Sequence, residues 1–317
     1  MQPINVLWLQ GQGCTGDTVS LISASNPSLV DVITGVLPEV SGINLAFHPT
    51  IMAPWGEKAL EPLLAAKTGK LDPFVIVLEG AVPDEKLAQK TGGYFCGIGD
   101  LHGKIVTLTE VLNDLKAKAA AMVAIGTCAA FGGVAAGKPN PTGAMGLSKF
   151  LGPNYKSTLG LPVINLPGCP TPGETTLKAL AHIVLIARGA AAVPALDEFN
   201  RPKYLYGELA HHLCPRAGFL AEGKFAHHYG EPWCMGLLGC KGPIVHCSVP
   251  RYGFANGLGG CPSTGSPCIG CTEPAFPDPP MSPFLQKSPI KSWVVEGIKD
   301  NIGKVKATLH RFHKRSI

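Results

Sequence analysis

The sequence predicts an α/β fold: a doubly wound parallel sheet of flavodoxin-like type, followed by an irregular domain stapled through its cysteines. Three observations predict it. Residues 1–190 alternate short apolar, β-like runs with segments whose apolar residues recur at helical spacing. Three cysteines and a glutamate sit where those β-like runs end. After about residue 195 the alternation stops, and Gly and Pro punctuate a stretch holding seven of the eleven cysteines.

The predicted strands are Ile4–Leu9, Ile43–His48, Phe74–Leu78, Met122–Ile125 and Val163–Leu166. Helical spacing predicts helices over Lys58–Ala66, Ile105–Ala121 and Thr175–Ala187. Alternation of this kind implies a parallel sheet, whose carboxyl-terminal strand ends share one ligand-binding edge. Cys14, Cys128 and Cys169 each follow a predicted strand, and Glu79 closes another. Residues far apart in sequence are thereby expected to converge.

A chain of 317 residues has room for more than one core. We divide it into a sheet domain, 1–195, a cysteine-rich domain, 196–290, and a C-terminal amphipathic helix, 291–317. That helix carries an apolar stripe of Val294, Ile298, Ile302, Val305, Leu309 and Phe312 beside basic residues. Packing against a partner subunit or a second copy is the expectation; lying on a membrane is the alternative. Only 15% of residues are charged and 45% are hydrophobic, which suggests a large face covered by a partner. A formal charge of +5, with no DNA or RNA motif, does not point to nucleic acid. No export signal precedes Ile4–Leu9 and no run of about 18 apolar residues occurs, so a cytoplasmic protein is expected. That compartment keeps thiols reduced, which makes metal the better use for the cysteines.

The cysteine-rich stretch reads HxxC at His211–Cys214, then Cys234, Cys240, Cys247 and Cys261, then CxxC at Cys268–Cys271. CxxC alone is equally half of a zinc site. Seven thiols and a histidine make two four-ligand sets, however, and two zincs leave the three strand-end cysteines unexplained. Iron–sulfur clusters account for all of them. His211 is three residues from Cys214 and so shares its face of a turn, whereas His212 does not. His227 and His228 read as surface residues, and Cys96 as a buried free thiol. Gly11–Gly16 matches G-x-G-x-x-G, with Asp31 near the spacing of a ribose ligand. A nucleotide site is the rival there, although such loops have no need of a central thiol.

Taken together, these strings resemble the small subunit of a nickel–iron hydrogenase. The matching segments are CTG at Cys14–Gly16, EGAVP at Glu79–Pro83, GTCAAFGG at Gly126–Gly133 and PGCP at Pro167–Pro170. HHLCPR at His211–Arg216, WCMGLLGCKGP at Trp233–Pro243 and CIGCTEP at Cys268–Pro274 continue in the family's order. The resemblance implies three clusters, each expected to be 4Fe-4S. Cys14, Cys128 and Cys169 would hold the proximal one. Cys247, Cys268 and Cys271 would hold the medial one, with Cys261 available where many relatives have proline. His211, Cys214, Cys234 and Cys240 would hold the distal one.

Asp17 departs from the family pattern, which has CTGC where this chain reads CTGD. One reading makes Asp17 a helix N-cap. The other makes its carboxylate the fourth proximal ligand, as in the actinobacterial-type, oxygen-insensitive uptake hydrogenases that the chain resembles most. Membrane-bound oxygen-tolerant relatives use two extra cysteines instead; the corresponding positions here are Gly16 and Gly133.

The function this implies is electron transfer from hydrogen oxidation to an external acceptor of unknown identity. The nickel–iron centre would lie on a large-subunit partner, in an assembly expected to be a dimer of heterodimers. No catalytic residue is assigned to this chain. Glu79 is expected to position the proximal cluster or relay a proton, or else to be a hydrogen-bonding structural residue. A regulatory hydrogen sensor is the alternative function. The cluster-bearing quinone-oxidoreductase subunit of related fold is a remoter one.

Overall fold

The computed structural model describes residues 4–36, 43–90, 92–279 and 281. The helix expected near the C-terminus lies outside them. Among the described residues the strands are β1 (Ile4–Gln10), β2 (Ile43–Phe47), β3 (Phe74–Glu79), β4 (Gly97–Leu101), β5 (Lys104–Thr107), β6 (Ala121–Ile125) and β7 (Ile164–Leu166). Five form one sheet in the order β2-β1-β3-β6-β7, with every neighbouring pair parallel. Counting only those five, this is the flavodoxin-like order, which reverses direction between β1 and β3.

The sheet helices used below are α1 (Gly16–Ile22), α2 (Leu29–Thr34), α3 (Glu57–Lys67), α4 (Glu85–Gln89), α5 (Leu108–Leu115), α6 (Gly126–Phe131), α7 (Gly133–Ala136), α8 (Leu147–Leu151) and α9 (Gly173–Ala187). Strand β1 shows why the sheet is covered on both faces. Val6 and Trp8 point into one core with Leu177 and Leu180 of α9, while Leu7 and Leu9 point into the other with Leu60 and Leu112. Each such fully buried side chain contributes about 1.5–3 kcal/mol.

The helix expected over Ile105–Ala121 is shorter and starts later. Ile105, Val106 and Thr107 are β-branched and pair with β4 as an antiparallel hairpin. Thr107 and Glu110 then form a reciprocal capping box that starts α5, which ends at Leu115. The hairpin turns through His102 and Gly103, both at positive φ, a signal that apolar periodicity does not weigh.

Beyond residue 195 the described chain is mostly turns, with helices no longer than Ala217–Ala221. This lobe sits at the carboxyl-terminal edge of the sheet. The backbone carbonyl of Cys271 accepts from the hydroxyl of Thr127, and Thr127 N–H donates to Gly168 O at 2.8 Å. One threonine thus ties the lobe to two strand-end loops.

Candidate functional site

Three loops meet at the sheet's carboxyl-terminal edge. β1 leads through Gly11–Gly13 to Cys14, β6 into α6 and Cys128, and β7 through Pro167 to Cys169. Cys128 lies within electrostatic reach of Asp17 and Cys14, and Cys169 within reach of Cys128, Cys14 and Asp17. The three cysteines expected on one rim are brought together there, with Asp17 among them. Cys14 and Cys169 are exposed. A Cβ at Gly133 would lie 2.8 Å from Cys128 Sγ, and one at Gly16 would lie 3.0 Å from Cys14 Sγ. Glycine at these two positions keeps room beside the sulfurs.

Asp17 is not an N-cap. It is the second residue of α1, whose N-cap is Thr15 in the left-handed region (φ 62°) with no side-chain capping bond. Its carboxylate instead crosses to the β7 loop, where Oδ1 accepts from Thr171 N–H at 2.7 Å. Oδ2 lies over Gly126, where a Cβ would come within 2.0 Å of it. Burial pushes the Asp17 carboxyl up to about 7, with Glu79 adding to the rise and the Thr171 N–H opposing it.

Glu79 is buried and fully engaged. Oε1 accepts from the backbone N–H groups of Asp17 (2.9 Å) and Thr18 (3.0 Å). Oε2 accepts from Trp8 Nε1 (3.1 Å), Gln10 Nε2 (3.2 Å) and the Thr18 hydroxyl. His48 stacks on Trp8 with ring centroids 5.0 Å apart and places Nε2 3.4 Å from Thr18 Oγ1. Burial holds His48 down to about 4, so it is neutral at pH 7. Nothing in the sequence singles out Trp8, Gln10, Thr18 and His48. They come from β1, α1 and the residue after β2, and only the fold shows that Trp8, Gln10 and Thr18 share one carboxylate while His48 packs on Trp8 and Thr18.

The lobe holds two further sets. Cys247, Cys261, Cys268 and Cys271 line a cavity of about 130 Å³, together with Cys169. Burial raises Cys247 to about 11 and raises Cys261, Cys268 and Cys271 as well, with repulsion from neighbouring thiols adding to it, that on Cys261 and Cys268 coming chiefly from Cys240 of the next set. His211, Cys214, Cys234 and Cys240 line a smaller cavity further out. His211–Cys214 is a turn rather than a helix, closed by Cys214 N–H on His211 O at 3.2 Å. Burial and His212 hold His211 below its ordinary value, which leaves it neutral as a metal ligand must be. Arg216 pins this site: Nε donates to Pro262 O (2.7 Å) and one terminal nitrogen donates to Trp233 O (3.0 Å). It occurs within HHLCPR, but its anchoring role is not legible there.

The three sets adjoin one another. Cys271 lies within electrostatic reach of Cys169, and Cys268 N–H donates to Cys240 Sγ at 3.3 Å. Thiols pushed up by burial and by each other become thiolates when a cation joins them, as iron does. The donor chemistry therefore fits iron–sulfur clusters.

Other candidates fall away from these sites. Asp31 closes a capping box on α2 with Ser28, accepting from Ser28 N–H at 3.0 Å and from Ser28 Oγ at 2.7 Å, so its carboxylate serves the helix and not a ribose. His227 and His228 are exposed, and His228 pairs with Glu231. Cys96 is a free, half-buried thiol that donates to Gln10 O at 3.6 Å.

A flavodoxin-like sheet whose strand ends gather thiols, followed by a lobe that gathers more, defines a class of multi-thiolate α/β protein. Comparison with known proteins narrows it. Residues 206–285 match the family model for the C-terminal part of the NiFe/NiFeSe hydrogenase small subunit, and residues 14–183 match "NADH ubiquinone oxidoreductase, 20 Kd subunit". The chain is 35% identical over 288 residues to the periplasmic NiFeSe hydrogenase small subunit of Desulfomicrobium baculatum, covering 88% of this chain and 86% of that one. It is 37% identical over 289 residues to periplasmic NiFe hydrogenase small subunit 1 of Nitratidesulfovibrio vulgaris, covering 89% and 82%. Among solved structures it superposes on the actinobacterial-type NiFe-hydrogenase from Ralstonia eutropha H16 with a TM-score of 0.87 and 37% identity, covering 100% of this chain and 91% of that chain. The chain belongs to the small subunits of nickel–iron hydrogenases. The oxidoreductase match spans the sheet region alone, whereas these relatives span both regions.

Proposed function

We propose that this chain is the electron-transfer small subunit of an uptake hydrogenase, passing electrons outward from a large subunit that carries the nickel–iron centre. The observation that carries this reading is the adjacency of the three ligand sets, from exposed Cys14 and Cys169 to His211. Cys14, Asp17, Cys128 and Cys169 would hold a proximal 4Fe-4S cluster. Cys247, Cys261, Cys268 and Cys271 would hold a medial one, and His211, Cys214, Cys234 and Cys240 a distal one. When bound, such clusters supply one-electron relay at potentials set by ligands, charge and exposure.

The chain's own residues fix the geometry. Glu79 anchors the start of α1 and so orients Cys14 and Asp17. Thr171 N–H holds one Asp17 oxygen, leaving the other to serve as a hard anionic ligand in place of the usual thiolate. Likeness to the actinobacterial-type enzyme supports this reading of Asp17, and oxygen tolerance is proposed with it. Val19 and Ile22 on α1 and Val134 on α7, helices that follow the Cys14 and Cys128 loops, are exposed apolar side chains on which a large subunit would dock. A cytoplasmic location is proposed as well, a compartment that keeps ligand thiols reduced.

Co-purification with the large subunit, followed by hydrogen-dependent dye reduction, tests the reading. Rapid turnover supports an uptake enzyme. Turnover confined to a trace, with hydrogen changing the binding of another protein, supports the sensor instead.

A further inference from the structure

Arg201 is a buried cation outside every ligand set. Its side chain is 1% exposed, and its Nε pairs with Asp197 Oδ2 at 2.6 Å. One terminal nitrogen pairs with Glu273 Oε2 at 3.1 Å and donates to Thr272 O at 3.1 Å. The rings of Phe199 and Tyr206 flank the guanidinium at 5.1 and 5.8 Å. Glu273 Oε1 accepts from His246 N–H at 2.7 Å, with His246 Nδ1 3.6 Å away. Thr272 and Glu273 directly follow Cys271, and His246 precedes Cys247.

The pair also reaches back to the sheet. Asn165 of β7 donates through its N–H to Asn200 O (3.0 Å) and through Nδ2 to Phe199 O (2.8 Å). Tyr206 Oη donates to Pro167 O at 2.8 Å, two residues before Cys169. Arg201 thus stands between the strand-end set and the four-cysteine set, and both Arg201 and Glu273 act electrostatically on Cys247. Charges this deeply buried are weakly screened. Reduction adds an electron, so a nearby carboxylate opposes it and a nearby guanidinium favours it.

We propose that the buried Arg201–Glu273 pair sets the reduction potential of the cluster held by Cys247, Cys261, Cys268 and Cys271. The proposal rests on the medial-cluster reading above. Arg201 and Glu273 are positioning residues: they touch the turn that carries Cys271, and their opposed charges bias the centre in opposite directions.

The test uses the co-purified heterodimer as wild type, Glu273→Gln, Arg201→Gln, Arg201→Lys and Cys268→Ser, with iron and labile-sulfide assay and redox titration followed by electron paramagnetic resonance. Glu273→Gln should raise the medial midpoint and Arg201→Gln should lower it, leaving the proximal and distal midpoints in place. Arg201→Lys should hold the midpoint near wild type although its fork of hydrogen bonds is lost. Glu273→Gln with a full iron complement and an unmoved medial midpoint overturns the proposal. So does an Arg201→Lys shift equal to that of Arg201→Gln, which would make geometry and not charge the cause. Should Arg201→Gln fail to assemble, the sign of the Glu273→Gln shift decides. Equal iron in wild type and Cys268→Ser would instead overturn the medial-cluster reading itself.

Discussion

The carboxylate of Glu79 holds the backbone N–H of Asp17 at 2.9 Å, joining the end of β3 to the first turn of α1. The same oxygen takes the Thr18 N–H, so one buried side chain satisfies two donors that the short helix leaves open. Replacing Glu79 with Ala also strips the Trp8 Nε1, Gln10 Nε2 and Thr18 hydroxyl donors of this acceptor, and should cost about 1–3 kcal/mol for each buried donor left unpaired. Glu79→Gln keeps the shape and should cost less. Thermal unfolding of the heterodimer, with iron assay, checks the order: Ala below Gln below wild type.

His48 predicts an acid limb of stability. Its folded value is held down to about 4 against 6.5 for the free side chain. Below pH 6.5 the unfolded chain therefore takes up a proton that the folded chain refuses. Stability present above pH 6.5 should fall by about 1.4 kcal/mol per pH unit down to about pH 4, and level off below. Comparing wild type with His48→Gln between pH 7 and pH 5.5 isolates this share. The variant should show the shallower slope.

Asp17→Cys restores the usual family residue at a position facing Thr171 and Gly126. The proximal resonance should change while the distal one stays put, and iron content should hold. Asp17→Ala should lower proximal iron and also free the Thr171 N–H, at about 1–3 kcal/mol. An unaltered proximal spectrum in both variants would reduce Asp17 to a bridge between α1 and the β7 loop.

Cys261 lines the same cavity as Cys247, Cys268 and Cys271. Cys261→Pro should convert the medial centre to a three-iron form, lowering iron by one atom in that centre and leaving the others intact. Spectra of the oxidised heterodimer distinguish the two forms.

Much of this is legible in the sequence, for identifiable reasons. Parallel strands buried on both faces read as continuous apolar runs, so periodicity finds β1, β3 and β6 to within a residue or so. Because such strands end on one edge, Cys14, Cys128 and Cys169 can be gathered before any coordinates. The start of α5 is harder to place, because Ile105 and Val106 fit a helical stripe as well as a strand. An N-cap at Asp17 is ruled out because the chain turns at Thr15, two residues earlier, and no short-range signal marks a left-handed threonine. The network of Trp8, Gln10, Thr18 and His48, and the Arg201–Glu273 pair, are out of reach for another reason. Their partners are distant in sequence, and each residue alone looks like ordinary core or surface.

Three adjoining ligand sets holding three clusters is the claim on which the rest depends. Iron and acid-labile sulfide per purified heterodimer, paired with spectroscopic counting of the centres, tests it most directly. The expected result is the iron and sulfide that three four-iron clusters require, with Cys128→Ser, Cys268→Ser and Cys234→Ser each dimming a different resonance. Zinc in place of iron, or the same resonance lost in all three variants, would contradict it.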